Sequence, residues 1–511
     1  MSSDFQEQMN PVEALMWSLD ADPVLSSTFA NITWLDRAPD AERLRRRMWR
    51  ATRVVPRLRR RVVEGFGPTP PSWEEDPDFD LDFHLKFVTL PPGATDADVR
   101  AFAVTQAATP FDRSRPLWEY VVLDGLADGR AAMVQKMHHT ITDGKGGIRM
   151  SIEFIDLERD APEPPPIPGE PYPEGPDKNR RTGTDCDGIA GERTESERTE
   201  GRSPESAGRN TIGAAALPGL SALQAPLASA FSSLLSSAKD PVGTANQIGS
   251  LISTLPAETA ATAKSLVRQL GVTDSARSPL WRERSLDRTL ETFDVSLEDT
   301  KVAAANLGGS VNDLFVAAAA GGAGAYHRRF GIDIDELRIS MPVSNRTDRS
   351  PGGNAFTPTR VLVPVGADPI ARFNEIHDRL AVTKTEKAMN FVNSAAGAVN
   401  LLPRQLLVQI ARQQVSTVDF ATSNVRAAPF PLYIAGAMLT ANYPVGPIAG
   451  TAWNLTTMSY LGVLHLGLHA DTAAVKDPAA LRDEIAASFD ELIRLGTPKA
   501  KPRPRQGAKR Q

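Results

Sequence analysis

The chain has a single cysteine, Cys186, among its 511 residues, and it lacks both a strong net charge and a long apolar run. One cysteine excludes a framework of intramolecular disulfides and is typical of a reducing compartment. The net charge of −5 does not favour a nucleic-acid partner. No run of about 18 apolar residues predicts a membrane-spanning helix, and the first residues lack the basic-then-apolar order of a secretory signal. We therefore expect a cytoplasmic protein that does not bind nucleic acid.

The length and composition predict more than one globular domain. Hydrophobic residues make up 41% and charged residues 23% of the chain, as in ordinary globular proteins, and 511 residues exceed one typical domain. Helical and strand-like patterns alternate over 1–159 and again over 284–497, which predicts an α+β fold of two domains. Residues 160–283 form a connector and 498–511 a basic tail.

The connector has two parts with different composition. Its beginning is rich in Pro and Glu and, to about residue 210, has no apolar stripe, so it cannot bury enough surface to offset its ordering entropy and we expect disorder. Apolar residues recur at helical spacing over 217–270 and predict helices. These helices either pack on the domains or lie on a lipid surface; packing is favoured because Lys and Arg are rare on them. The basic tail is either an anionic-lipid contact or, as we favour, a solvated end.

The spacing of apolar residues, together with capping and turn residues, predicts the main helices and strands of the two domains. The predicted helices cover 41–53, 96–108, 148–157, 297 to near 308, 311–329 (interrupted by glycines at 321, 322 and 324), 370–389, 402–413 and 478–495. The predicted strands cover 118–123, 131–137, 337–343, 360–365, 418–421 and a pair within 451–470 that bends at 461–462.

Two adjacent histidines at the exit of the 131–137 strand carry the clearest chemical signal. His138 and His139 are followed by Asp143 and Gly144 in a glycine-rich turn. Side chains alternate along a strand, so the two imidazoles cannot both face one substrate. A histidine fixed at a cavity wall can take a proton from an alcohol or thiol without a metal. Adjacent histidines diverge and no further ligands follow at metal spacing, so we expect no metal site.

Each motif residue also has an ordinary structural interpretation. A histidine pair is often structural, and Asp before Gly is a good turn former. Asp143 could fix a histidine tautomer or pair with a distant arginine and hold the turn, and the second role is favoured.

The pattern His-His-x-x-x-Asp-Gly resembles the active-site signature of the coenzyme A-dependent acyltransferase superfamily. Within it, the chain resembles the bacterial wax ester synthase/diacylglycerol acyltransferase family over most of its length, except about 161–278. The further matching stretches are residues 56–61, 73–81 with His84, 116–119, 125–126, 311–313, 341–346, 352–354, 423–425, 454–460 and 470–471. Arg426-Ala427 stands where the family usually has Pro-Gly, and Glu13 stands for a common Asp; these departures put the substrate preference in doubt.

The resemblance implies two chloramphenicol-acetyltransferase-like domains with a tunnel between them and the motif at its centre. It implies that His139 is the general base, which deprotonates the hydroxyl of a diacylglycerol or fatty alcohol as it attacks an acyl-CoA thioester. His138 would support it, Asp143 would hold the loop, and Gly144 would permit close backbone approach. Acyl-CoA would be a co-substrate and no cofactor is needed. Because the acceptor would be a lipid, we also expect peripheral contact with the inner membrane or a lipid body.

Further residues are candidates for substrate binding, each with a structural alternative. Trp118 either walls the tunnel or is a core aromatic; Asn312 and Asp313 either orient the motif loop or, more commonly, cap a helix; Asn424 is a candidate oxyanion donor. Pro116 and Leu117 adjoin Trp118.

Two other functions remain open from the sequence. The first is a condensation-type acyltransferase that uses a carrier-bound donor or another hydroxyl. The second is a non-catalytic lipid-binding or lipid-droplet coat protein, against which the intact motif argues. No Gly-x-Ser-x-Gly elbow is present, so we expect no acyl-enzyme.

Overall fold

The computed structural model describes residues 7–66, 69–142, 144–165, 167–169, 172, 276–344, 356–385 and 404–497. Most of the predicted connector, including the helices expected over 217–270, lies outside the described residues. So do the basic tail, Asp143, and residues 345–346 and 352–354 of the family-like stretches. The first half below means residues 7–172, and the second half means residues 276–497.

The described elements alternate between helix and strand in both halves. The helices are α1 (Pro11–Leu19), α2 (Ala41–Val54), α3 (Leu81–His84), α4 (Asp96–Ala108), α5 (Gly144–Ser151), α6 (Leu297–Asn306), α7 (Val311–Arg329), α8 (Pro369–Thr385), α9 (Arg404–Val415) and α10 (Pro478–Gly496). The strands are β1 (Glu7–Gln8), β2 (Thr28–Leu35), β3 (Arg60–Val63), β4 (Ser72–Glu75), β5 (Leu85–Thr89), β6 (Trp118–Asp124), β7 (Ala131–His138), β8 (Arg288–Ser296), β9 (Glu336–Ser344), β10 (Phe356–Pro364), β11 (Phe420–Arg426), β12 (Tyr433–Ile434), β13 (Ala437–Val445), β14 (Trp453–Tyr460) and β15 (Val463–Asp471).

The strand that ends in the histidine motif lies inside a six-stranded sheet. Its order is β12-β13-β2-β7-β6-β5, and β7 pairs antiparallel with β2 on one side and with β6 on the other. Helices cover both faces of this sheet, so β2 and β7 are buried along nearly their whole length. The two strands are mostly apolar, and their few polar side chains, such as Asn31 and Lys136, are buried or partly buried with the rest. This burial gives the motif a rigid base.

Two strands of this sheet come from the second half of the chain. β13 pairs antiparallel with β2, for example Val445 with Ala30, and β12 pairs with β13. The predicted domain boundary at residue 284 is therefore not a boundary between the sheets. The chain leaves the second sheet after β11, adds β12 and β13 to the first sheet, and returns to the second sheet with β14.

The second six-stranded sheet has the order β10-β9-β11-β14-β15-β8. Its core contains α7, which packs on α8 and α10. The prediction that glycines interrupt this helix is wrong, because α7 runs unbroken from Val311 to Arg329. The glycines instead allow close packing: a Cβ at Gly322 would lie 2.5 Å from the Ile485 Cα, and one at Gly324 would lie 2.1 Å from the Val365 carbonyl oxygen.

The α+β fold with two domain-like halves is confirmed, and most predicted elements lie within a few residues of their observed bounds. The helix predicted over 148–157 is wrong. The observed helix, α5, begins at Gly144 and ends at Ser151, and Ile152 and Leu157 beyond it are 67% and 68% exposed. Among the described residues, no single helix has the length and hydropathy to cross a membrane; only α6 and α7 taken together, bent by 95°, meet that test.

Candidate active site

Backbone hydrogen bonds fix the two histidines at the end of β7. The His138 N–H donates to the Leu117 carbonyl oxygen at 3.0 Å, and the His139 N–H donates to that of Ser27 at 3.2 Å. The Ile141 N–H then returns to the His138 carbonyl at 3.0 Å and closes a turn. The polypeptide therefore leaves the strand between the two histidines, and each is anchored to a different neighbouring segment.

The His138 imidazole is fully buried between Thr140 and Asp20. Its Nδ1 lies 2.8 Å from the Thr140 Oγ1 and accepts the Thr140 backbone N–H at 3.2 Å. Its Nε2 lies 3.3 Å from Oδ1 of Asp20. Because a backbone N–H can only donate, Nδ1 carries the lone pair and the proton lies on Nε2, toward the carboxylate. In this arrangement His138 has no lone pair for a substrate proton.

The His139 imidazole has the opposite tautomer. It is partly buried, and its Nδ1 lies 3.3 Å from the Thr142 carbonyl oxygen, which can only accept. Nδ1 is therefore the protonated nitrogen and Nε2 carries the lone pair. The Phe29 ring packs on the imidazole with 4.5 Å between centroids. Of the two histidines, His139 is the one whose tautomer suits a general base.

A buried ion pair between Arg57 and Glu13 supports the motif turn. The Arg57 Nη1 donates to Oε1 of Glu13 at 2.8 Å and to the Thr140 carbonyl oxygen at 3.0 Å. The Glu13 side chain is fully buried, and its Oε2 also accepts the Asn10 N–H at 3.2 Å as part of the capping box of α1. Glu13, which stands where the family commonly has Asp, thus joins the first helix to the histidine turn.

Asp20 was missed by sequence reasoning. It follows the last residue of α1, and its Oδ1 accepts the Ser26 hydroxyl at 2.7 Å besides facing His138. Burial alone would raise the pKa of this carboxyl, but the hydrogen bonds from His138 and Ser26 and the charge of Arg113 bring it below its ordinary value. A short Asp-Ala-Asp-Pro turn gives no local sign that its carboxylate faces a histidine so far along the chain.

The Pro116-Leu117-Trp118 stretch is buried beside the motif. Trp118 is fully buried, donates its indole N–H to the Leu58 carbonyl oxygen at 2.9 Å, and stacks on His84 with 4.7 Å between centroids. These contacts are those of a core aromatic. Leu117 contributes through its carbonyl, which accepts the His138 N–H, and Pro116 precedes it in the same buried segment.

Asn312, Asp313 and Asn424 lie in the second half. Asp313 closes the capping box of α7 with Ser310 and lies 2.9 Å from the His377 Nδ1, and Asn312 lies in the same first turn, half-buried. Asn424 lies within β11, opposite Thr457, and not after a strand as we expected. Helix α5, which follows the motif, contacts β11. Of these three residues, Asn424 on β11 is therefore the one connected most directly to the histidines.

The two remaining residues of the motif are Gly144 and Asp143. Gly144 is the first residue of α5, and Asp143 lies outside the described residues, so its predicted loop-holding role stays a prediction.

A cavity of about 100 Å³, lined among others by Trp34, Arg100 and Tyr443, lies away from the histidine motif. Trp34 is six residues along β2 from Thr28, the partner of His138, which is about 20 Å in a strand. We assign this cavity no part in the reaction.

A serine–histidine pair, Ser278 and His327, lies in the second half, apart from the histidine motif. The Ser278 Oγ is 2.7 Å from the His327 Nε2, and the His327 Nδ1 donates to the Ala323 carbonyl oxygen at 2.8 Å. Both side chains are completely buried, and burial lowers the pKa of His327. A substrate cannot reach this hydroxyl, so the pair is structural.

The fold is shared with two groups of solved structures. Wax ester synthase/diacylglycerol acyltransferase from Marinobacter aquaeolei VT8 matches with a TM-score of 0.57 and 18% identity, over 96% of this chain and 99% of that one. The first condensation domain of the CDA synthetase matches with a TM-score of 0.54 and 13% identity, over 96% and 97%. At these identities the likeness establishes the fold alone.

The sequence comparisons establish the family. Residues 9–315 match the wax ester synthase/diacylglycerol acyltransferase catalytic domain, and residues 352–493 match the C-terminal domain of the same family. A protein of Mycobacterium tuberculosis strain H37Rv, provisionally named a diacylglycerol O-acyltransferase, is 34% identical over 97% of this chain and 93% of its own length. The chain belongs to the wax ester synthase/diacylglycerol acyltransferase family.

Proposed function

We propose that this protein is an O-acyltransferase that moves a long-chain acyl group from acyl-CoA to diacylglycerol, giving triacylglycerol, or to a long-chain alcohol, giving a wax ester. Membership of the family supports the reaction class. The observation that carries the mechanism is the His139 tautomer, in which the Nδ1–H donates to the Thr142 carbonyl and the lone pair lies on Nε2.

The reaction proceeds in one transfer without an acyl-enzyme. The His139 Nε2 takes the proton of the acceptor hydroxyl as its oxygen attacks the thioester carbonyl. The new C–O bond forms, the C–S bond breaks, and the proton passes from His139 to the departing CoA thiolate. The backbone N–H of His139 donates to the Ser27 carbonyl oxygen, and its Nδ1–H donates to the Thr142 carbonyl oxygen. Backbone and ring are therefore both held, and little orientation has to be gained in the transition state.

The decisive experiment supplies palmitoyl-CoA with dioleoylglycerol or hexadecanol and measures thiol release and ester together. We expect equal amounts of thiol and ester, and a loss of roughly 10²–10⁴-fold in kcat for His139→Ala. His465→Gln, which changes a histidine that pairs with Asp294 in the second sheet, is the matched control and should retain the activity. The ratio of the two esters identifies the acceptor.

Three results would contradict the proposal. One is equal ester yield from the wild type and His139→Ala. Another is an increase in intact mass with acyl-CoA alone, which would show an acyl-enzyme. The third is ester formation only from a carrier-bound acyl group, which would indicate the condensation-type alternative.

A further inference from the structure

The loop between α1 and β2 reaches both histidines of the motif. Its Ser26 hydroxyl donates to Asp20, whose Oδ1 lies 3.3 Å from the His138 Nε2. The next residue, Ser27, accepts the backbone N–H of His139. One short segment therefore contacts the side chain of the first histidine and the backbone of the second.

Asp20 is suited to hold a buried imidazole in one orientation. The His138 side chain is completely buried, and that of Asp20 is 15% exposed. The Thr140 N–H and hydroxyl occupy the Nδ1 side of the ring. Rotating the ring by half a turn would place carbon atoms against the Asp20 carboxylate and the Thr140 N–H, and would leave both buried polar groups without this partner. The carboxylate and the Thr140 N–H thus select the tautomer and the orientation together.

The orientation of His138 is coupled to the turn that carries His139. Thr140, which contacts the His138 Nδ1 through its backbone N–H, also has its carbonyl held by Arg57. The His138 carbonyl accepts the Ile141 N–H within the same turn. A displaced His138 ring therefore changes the backbone on which His139 is placed, and a displacement of about 1 Å is enough to lower a reaction rate by roughly 100-fold.

We propose that Asp20 is a positioning residue of this active site: its carboxylate faces the His138 Nε2 at 3.3 Å, and through that ring it fixes the turn that places His139. The inference rests on the proposed function for its kinetic effect. Its structural part, the tautomer of His138, stands independently of any activity.

The kinetic test compares Asp20→Ala, Asp20→Asn and Asp22→Asn. Asparagine retains an acceptor oxygen, whereas alanine has none, so we expect kcat to fall by up to roughly 100-fold for Asp20→Ala, clearly less for Asp20→Asn, and KM to change little in either. Asp22 belongs to the same loop but pairs with Arg412 and not with the motif, so Asp22→Asn controls for loss of a loop carboxylate and should keep kcat. An unchanged kcat in Asp20→Ala, or an equal loss in Asp22→Asn, overturns the proposal.

The second test reads the tautomer directly by NMR of protein labelled with ¹³C and ¹⁵N in histidine, with His138 assigned from a His138→Gln variant. We expect the neutral Nε2–H form for His138 in the wild type and a mixture of tautomers in Asp20→Ala. A wild-type ring protonated on Nδ1 overturns the inference. If the wild type forms no ester from any acyl-CoA while His138 shows the Nε2–H form, the proposed function fails and the assignment of Asp20 stands.

Discussion

Gly467 lies directly beneath the carbonyl oxygen of Pro444, so close that a Cβ at position 467 would be 1.9 Å from that oxygen. Pro444 belongs to β13, which pairs with the first sheet, and Gly467 belongs to β15 of the second. The two sheets thus approach each other backbone to backbone where the chain crosses between them, and only glycine permits this distance.

Gly467→Ala should therefore separate the two backbones and destabilise the protein. A forced shift in a packed interior costs about 1–3 kcal/mol, so we expect the free energy of unfolding to fall by about that amount and the urea midpoint to fall with it. The matched control is Gly366→Ala, because a Cβ at this exposed position meets nothing within 4 Å and its φ is not positive. Equal midpoints for the two variants would contradict the packing argument.

The crossing of the chain between the two sheets could not be predicted from the sequence, although several of the elements could. The β6–β7 hairpin was predictable because a polar turn joins two neighbouring apolar segments. The pairing of β13 with β2 was not, because alternating residues show that a strand is half-buried but do not identify its partner. The helix over Gly144–Ser151 was misplaced because its glycines disfavour helix locally, and tertiary packing overrides that preference.

The candidate site likewise contains some residues that the sequence predicts and others that it does not. The histidine pair stood out because two imidazoles end an apolar strand, and its elements were assigned correctly up to the turn. Asp20 and Arg57 could not be assigned because their contacts with His138 and Thr140 exist only after the chain has folded. Asp313 follows the local rule instead, since its capping box is complete within four residues.

The ion pair of Glu13 with Arg57 should be important for stability. Removing one member leaves a buried charge, which costs about 3–5 kcal/mol, although Glu7 also contacts Arg57 and should reduce the loss for Glu13→Gln. We expect Arg57→Leu to lower the free energy of unfolding by about 3 kcal/mol and to reduce kcat, because the Thr140 carbonyl loses its donor.

The control for that variant is Arg60→Leu. Arg60 pairs with Glu7 and Glu75, whose side chains are 45% and 53% exposed, and such surface pairs contribute about 0–1 kcal/mol. Chemical unfolding of the two variants measures the difference. Similar losses in both would show that the buried pair contributes no more than a surface one.

Ser278→Ala should reduce stability without reducing the rate of the reaction. The Ser278 hydroxyl satisfies the His327 Nε2 and accepts the Trp281 N–H at 3.1 Å, and leaving such buried groups unsatisfied costs about 1–3 kcal/mol. Ser416→Ala, in an exposed position where the hydroxyl donates to the Gln413 carbonyl, should change stability by less than about 0.5 kcal/mol. Loss of ester formation in a folded Ser278→Ala protein would indicate a covalent route and overturn the structural assignment.

Two buried histidines should make the fold sensitive to mild acid. Burial lowers the pKa of His84 to about 4 and that of His469 to about 4, although each Nδ1 has a carbonyl partner, on Trp118 and Gly446 respectively. The unfolded chain binds these protons near pH 6.5, so the unfolded state holds more protons between pH 6.5 and 4. The stabilising contribution is therefore complete above pH 6.5 and is lost as the pH falls toward 4.

For each histidine this loss can reach about 3 kcal/mol near pH 4. Urea unfolding at pH 7.5, 5.5 and 4.5 should show the decline. His84→Gln and His469→Gln should be less stable than the wild type at pH 7.5, because the packing of each ring is lost, but should lose less on acidification because glutamine does not titrate. A decline of the same size in the wild type and both variants would show that other groups cause the acid sensitivity. The lowered pKa of Asp20 acts in a separate window, since its contribution is lost only as the pH falls below 3.8.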